Sequence, residues 1–259
     1  DLNVSSKDKS KELQQMWRNK AIADTYEPGS TFKVITASMA IEENLIDPLE
    51  QFTCRGYIKV DGYPKPIHCH KRTGHGTRVF SEMLQQSCNP TLVTVSHRIG
   101  SDMFYDYFTS FGYTGKTGID LRGEAGGIYV GRNGLNNVEL SVYAFGQTFK
   151  TSPIQQITAI ASVANGGYLV TPHVLDKVVD SEGNIVESYE TNVKRQVISK
   201  NTSEYISTVL EEGVSGNGGA KNAYVLGYKV AAKTGTSQKR DILNEEGESY
   251  LYVGSCVAY

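Results

Sequence analysis

The sequence has 259 residues, 39% hydrophobic and 21% charged, with 26 Lys+Arg against 28 Asp+Glu. That is enough chain to bury a sizeable core as one large domain or two small ones. The net charge of -2 excludes a polycation that grips nucleic acid by neutralising phosphates, and no apolar run reaches the roughly 18 residues that suggest a membrane span.

Residues 1–29 are polar and turn-rich, and Trp17 is the sole tryptophan. After Pro28-Gly29 the run STFKVITASMAIEEN spaces its apolar residues as a helix does, which predicts a helix from Ser30. Residues 50–70 carry β-branched and aromatic positions around Gly56 and Asp61-Gly62, the pattern of a hairpin. Two short helices over 79–87 and 90–99 are separated by Ser87-Cys88-Asn89, and a glycine-marked irregular connection covers 112–127. A helix over 153–163 ends at Asn165-Gly166-Gly167. Strand, turn and strand follow in GGYLVTPHVLDKVVDSEGNIVESYE, then a helix over 202–213 and two late strands in KVAAKTGTSQ and SYLYVGSCVAY. Helices and strands alternate without βαβ regularity, so the fold class is α+β.

Three short motifs each occur twice. Ser-x-x-Lys stands at Ser30–Lys33 and at Ser6–Lys9, and Ser-x-Asn at Ser87–Asn89 and at Ser215–Asn217. Lys-Thr-Gly stands at 116–118 and at 233–235. Local setting chooses between the copies. Ser30 and Lys33 share a face of a first helical turn that follows Glu27-Pro28-Gly29. Backbone N–H groups there can hold an oxyanion, and the helix's positive end disfavours a charged lysine, so Lys33 can take a hydroxyl proton. Ser6 lies in the solvated run SSKDKSKE. Lys233-Thr234-Gly235-Thr236 falls in a predicted strand, where period two puts Thr234 and Thr236 on one side to bind a carboxylate. Gly235 would let a ligand approach the backbone. The copy at Lys116 sits in a loop and is followed by Ile119, and Ser215-Gly216-Asn217 sits in the flexible GVSGNGG stretch.

Serine with lysine, Ser-x-Asn, then Lys-Thr-Gly is the motif order of penicillin-recognising acyl-serine enzymes. The longer stretches WRNKAIADTYEPGSTFK, GQTFKTSPIQQITAIASVANGG and YKVAAKTGTSQK resemble the transpeptidase domain of class B penicillin-binding proteins, from about Trp17 to Tyr259. Within that family the chain looks most like the elongation and sporulation types of Gram-positive bacteria. The resemblance implies a penicillin-binding protein/serine β-lactamase-like fold, an antiparallel sheet flanked by helices, with a mostly helical part carrying Ser-x-Asn. It implies that 1–259 is one transpeptidase domain lacking terminal strands and helices usual in the family. It implies a location on the extracytoplasmic face of the membrane, an anchor outside this chain and a membrane glycosyltransferase as partner.

The chemistry so implied is D,D-transpeptidation. Ser30 attacks the carbonyl between the terminal D-alanines of a peptidoglycan stem peptide, with Lys33 as base. The N–H groups of Ser30 and Thr236 form the oxyanion hole, Ser87 and Lys233 pass a proton to the leaving amine, and Asn89 holds the substrate amide. Thr234, Gly235 and Thr236 bind the terminal carboxylate. β-Lactams would acylate Ser30 and be released slowly, and no organic cofactor is expected.

Cys54, Cys69 and Cys88 crowd around His68, His70 and His75, while Cys256 stands apart. Cys₃His is a normal tetrahedral zinc set. Some elongation-type relatives have a zinc site here, using a His-Gly and the cysteine of Ser-x-Asn, so the resemblance selects Cys54, Cys69, His75 and Cys88. A Cys54–Cys69 disulfide and unrelated buried thiols remain as alternatives. Two other functions share the motif order. A class A β-lactamase would need a deacylating glutamate in a Glu-x-x-x-Asn setting, but four residues after Glu124 comes Ile128. A β-lactam sensor domain keeps the same motifs.

Overall fold

Phe32 lies at the centre of the molecule, fully buried, with its ring 5.1 Å from Tyr113 and 4.9 Å from Phe149. Phe104, Phe108 and Tyr143 extend this aromatic cluster. Each edge-on ring pair adds about 0.5–1.5 kcal/mol beyond simple burial. The position matters because Phe32 ends a tight 3-10 turn, Gly29–Phe32, that runs directly into the helix Lys33–Glu42. A core aromatic thus pins the segment between Ser30 and Lys33. The helix expected from Ser30 begins with this tighter turn.

The computed structural model describes residues 6–239, 244 and 251–259. Helices Ser6–Trp17 and Lys20–Ala23 occupy much of the segment expected to be turns. Its polarity was misleading: Lys, Glu, Gln, Leu and Met are all good helix formers. The hairpin is deeper than expected. An inner ladder pairs Tyr57–Ile58 with Ile67–His68, and an outer one pairs Gln51–Cys54 with Gly76–Val79. Cys54 and Cys69 are therefore at the same end of one hairpin.

Helices Phe80–Gln85 and Asn89–Ile99 flank Ser87 and Cys88. Two further helices lie where the sequence reading placed none. Ser101–Ser110 buries Phe104 and Phe108, one turn apart on its inner face. Asn137–Tyr143 starts at Asn136, whose side chain accepts from the N–H groups of Val138 and Glu139. Helix Pro153–Ala164 opens with a capping box between Ser152 and Gln155. The strand–turn–strand expected next is a strand plus an inserted hairpin. Tyr168–Thr171 pairs with Asn192–Gln196, and Lys177–Val179 pairs with Ile185–Ser188 between them.

Helix Lys33–Glu42 packs against Asn89–Ile99, Pro153–Ala164 and the long helix Lys200–Ser215. Its far end is tied down by Glu42, which accepts from the backbone N–H and hydroxyl of Ser199, both at 2.9 Å. Strands Ala232–Gln238 and Tyr252–Ala258 form an antiparallel pair with Gly254 opposite Thr236. Ser249 and Tyr250, the first residues of the expected last strand, lie outside the described residues. All sheets among the described residues are two-stranded and antiparallel and combine with helices in an α+β architecture.

Candidate active site

Ser30, Ser87, Asn89, Thr234, Gly235 and Thr236 line one open cleft, although 206 positions of chain separate its ends. Gly29 brings the first and last parts together. It has φ +57, the left-handed region that glycine tolerates, and a Cβ there would meet the Thr236 carbonyl oxygen at 2.8 Å. The turn bearing Ser30 thus lies against the backbone of Thr236. Gly235 serves the same contact from the other side. A Cβ at Gly235 would meet Ser255 Oγ at 2.5 Å and the Pro28 carbonyl oxygen at 2.9 Å. Its missing side chain makes room for protein, and Gly235 also lines the cleft that a ligand would enter. Thr234 and Thr236 occupy the exposed face of the strand, as period two requires.

Lys33 is fully buried yet faces no carboxylate among its hydrogen-bond partners. Its Nζ donates to the Ser87 carbonyl oxygen at 2.7 Å, to Ser87 Oγ at 3.0 Å and to Asn89 Oδ1 at 2.6 Å. Burial first, then the charge of Lys233, holds its pKa well below the usual lysine range. The sequence reading invoked the helix end for that lowering; desolvation is the larger cause. Lys233 donates to the same Ser87 Oγ at 2.9 Å and to the Thr234 carbonyl oxygen at 3.0 Å. Burial lowers it to about 8. Two lysines, both biased toward the neutral form, therefore converge on one hydroxyl. No hydrogen bond joins the Ser30 hydroxyl to Lys33 among the described residues, a contact that in such sites often tightens only with substrate bound.

Ser87 holds this geometry through strain. Its φ of 55 is rare for a residue with a side chain and turns both its carbonyl and its hydroxyl toward Lys33. Asn89, at the start of the next helix, also donates to the His68 carbonyl oxygen at 2.9 Å. One N–H of its amide group stays available to a ligand.

The residue between them, Cys88, faces the other way. Together with Cys54, Cys69 and His75 it forms a buried group whose ligand atoms all lie within 4.8 Å of one another. All three thiols are free, so the Cys54–Cys69 disulfide is not formed. Two donors support the sulfurs: the Gly56 N–H to Cys54 at 3.4 Å and the Thr91 hydroxyl to Cys88 at 3.3 Å. His75 Nε2 is buried with no hydrogen-bond partner, and burial keeps its pKa below the usual imidazole value. The hydrogen bond between Cys88 and Cys69 pushes the Cys69 pKa down and that of Cys88 up. A neutral imidazole beside soft thiolates is a donor set suited to a metal ion. His68 and His70 are exposed and lie outside this group.

The family described as the penicillin binding protein transpeptidase domain matches residues 2–259. The chain belongs to this family. It is 42% identical over 224 residues to stage V sporulation protein D of Bacillus subtilis, covering 86% of this chain and 34% of that protein. Penicillin binding protein 3 of Mycobacterium tuberculosis, solved with aztreonam and with ampicillin, superposes with a TM-score of 0.83 at 26% identity. That match covers 93% of this chain and 54% of the other. The chain thus spans about a third of the length of the curated relative and about half of the solved one.

As a transpeptidase-family domain, the chain uses its duplicate motifs for structure. The Lys-Thr-Gly copy at 116–118 is a loop clamped by Glu124, which accepts from the Thr117 N–H at 2.6 Å, the Thr117 hydroxyl at 2.7 Å and the Gly118 N–H at 3.1 Å. Glu124 is buried there and does not line the cleft. The Ser215–Asn217 copy ends helix Lys200–Ser215 and leads under Gln85 and Gln86, with the Asn217 carbonyl oxygen accepting from Gln86 at 2.7 Å. The cleft also includes His70, Gln86, Phe145, Gln147 and Gly219, none of which the sequence reading singled out for it. GQTFK, which contains Gln147, carries the family resemblance but no local chemical signal. The others carry no signal in the chain, since only folding brings them beside Ser30.

Proposed function

We propose that this domain is the catalytic part of a D,D-transpeptidase that crosslinks peptidoglycan stem peptides through an acyl-enzyme on Ser30. The observation that carries the reading is the convergence of Lys33 and Lys233 on Ser87 Oγ beside the cleft containing Ser30, Thr234 and Thr236. The terminal carboxylate of the donor peptide sits against Thr234 and Thr236. Neutral Lys33 takes the Ser30 hydroxyl proton as Ser30 Oγ bonds to the carbonyl carbon. The negative oxygen faces the N–H groups of Ser30 and Thr236, which the contact of Gly29 with Thr236 keeps together. The C–N bond then breaks, and the departing D-alanine amine receives its proton through Ser87 from the lysine pair. Asn89 holds the donor amide. The amine of a second stem peptide attacks the ester carbon, a new peptide bond forms, the bond to Ser30 Oγ breaks, and the surplus proton returns through Lys33 to Ser30.

The Cys54, Cys69, His75 and Cys88 group would hold zinc as a structural ion. Zinc would bind hairpin 51–79 to the first residue before helix Asn89–Ile99, and so steady Ser87 and Asn89 on either side of Cys88. The relative named stage V sporulation protein D points to sporulation as the process served. An anchor and a membrane glycosyltransferase partner belong to regions beyond this chain, with the domain working outside the cytoplasmic membrane; no helix among the described residues is long and apolar enough to cross one.

Incubation with a D-Ala-D-Ala-terminated stem peptide and an amine acceptor tests the reading. Release of D-alanine together with a new donor–acceptor amide supports it. Hydrolysis without amide formation, or stable acylation by penicillin with no turnover of peptide, favours the hydrolase or sensor function instead.

A further inference from the structure

His70, Asn89, Phe145, Gln147 and Thr236 line not only the cleft but also a second, larger groove that continues from it. The far wall of that groove is the hairpin 51–79, which contributes Lys65 and Arg72, and the exposed rings of Tyr63 and Tyr252 stand beside it. Hairpin composition is unlike that of the chain. It holds six lysines and arginines against the single acid Asp61, in a protein whose net charge is -2. Arg78 is paired with Glu82, whereas Lys65 and Arg72 have no ion pair among the described residues. Among the described residues, the only acid lining the groove is Glu139, and Thr148 donates its hydroxyl to Glu139 at 3.0 Å.

We infer that this groove selects acyl donors carrying a carboxylate upstream of the scissile carbonyl, read by Lys65 and Arg72. The inference rests on the acyl-transfer reading of the cleft. A donor whose carbonyl lies at Ser30 and whose amide meets Asn89 extends its acyl side past Asn89 into the groove, toward the basic hairpin. Clefts lined by one sign of charge concentrate ligands of the other, and an arginine fork suits a carboxylate. The lysine and arginine are exposed, so they add selectivity and rate of capture more than binding strength.

A matched pair of penicillins tests this. One has a glutaryl side chain on 6-aminopenicillanic acid, and the other has the neutral glutaramide of the same shape. The wild-type domain acylates faster with the glutaryl compound, and the preference fades in about 0.5 M salt. Lys65→Ala/Arg72→Ala slows acylation by the glutaryl compound about three- to tenfold and leaves the neutral compound unchanged. Equal slowing of both, or of neither, overturns the inference. Unchanged reaction with the neutral penicillin also shows that the variant is folded. If neither compound acylates Ser30 even in the wild type, the acyl-transfer reading falls first and this inference with it.

Discussion

Lys33 and Ser87 are joined twice: Nζ donates to the Ser87 carbonyl oxygen at 2.7 Å and to its hydroxyl at 3.0 Å. The second motif therefore holds the lysine of the first, and Lys233 completes the arrangement at 2.9 Å from the same hydroxyl. Charge on either lysine disfavours charge on the other, which gives the site a defined response to pH.

In the proposed mechanism acylation needs neutral Lys33, so its rate is expected to rise with pH across the Lys33 titration. Lys233→Gln removes a positive neighbour that lowers the Lys33 pKa. The rising limb of penicillin acylation is then expected to move to higher pH, alongside a loss of about 10²- to 10⁴-fold in rate. Stability follows from the same shifts. Lys233 titrates near 8 in the fold against 10.5 ordinarily, so between those values the unfolded chain binds more protons. Stability contributed by this group therefore increases as pH rises through that window. A limb that stays in place or moves down would contradict the coupling; rate–pH profiles of both proteins decide it.

Removal of metal is expected to act at the second motif. A chelator-treated sample should melt at lower temperature and acylate about 10- to 100-fold more slowly, with Ser30 still the modified residue. Metal analysis should give one zinc per chain before treatment, and Cys54→Ser should lose it. Full reactivity and an unchanged melting curve in the stripped protein would remove zinc from the account.

Glu124 distinguishes structure from hydrolysis. Its three hydrogen bonds clamp the loop at Thr117 and Gly118. Glu124→Ala should cost about 1–3 kcal/mol in denaturant unfolding, because buried donors lose their acceptor. The lifetime of the penicilloyl-enzyme should not change. A markedly longer lifetime would make Glu124 a deacylating base and favour the β-lactamase function.

Gly29→Ala tests the seam between the nucleophile turn and the strand. A Cβ at φ +57 adds backbone strain and meets the Thr236 carbonyl oxygen at 2.8 Å. The expected result is a loss of about 1–3 kcal/mol in stability and slower acylation, since the turn must move away from Thr236. Wild-type acylation in a well-folded Gly29→Ala protein would show that the seam does not position Ser30.

Legibility in the sequence followed the range of each interaction. The helices after Pro28-Gly29 and Ser152-Pro153 and the strand of Thr234 and Thr236 show local periodicity and caps, so they were readable. Motif copies could be sorted by local setting: Glu124 clamps the loop at 116–118, and the copy near Asn217 forms a helix end. The long-range part was not readable. Nothing local reveals that Gln51–Cys54 returns to Gly76–Val79, or that His70 and Gly219 line one cleft. Ser101–Ser110 is helical despite its many aromatic residues because Phe104 and Phe108 enter a core assembled from distant segments. The close packing at Gly235 was hidden for the same reason: Ser255 and Pro28 reach it only in the fold.

The central claim is an acyl-enzyme on Ser30, and mass-spectrometric mapping of a fluorescent penicillin adduct with timed release of the label tests it most directly. The account predicts a single adduct on the peptide containing Ser30, absent in Ser30→Ala and persisting for many minutes. Labelling at another residue, or release within seconds, would contradict it.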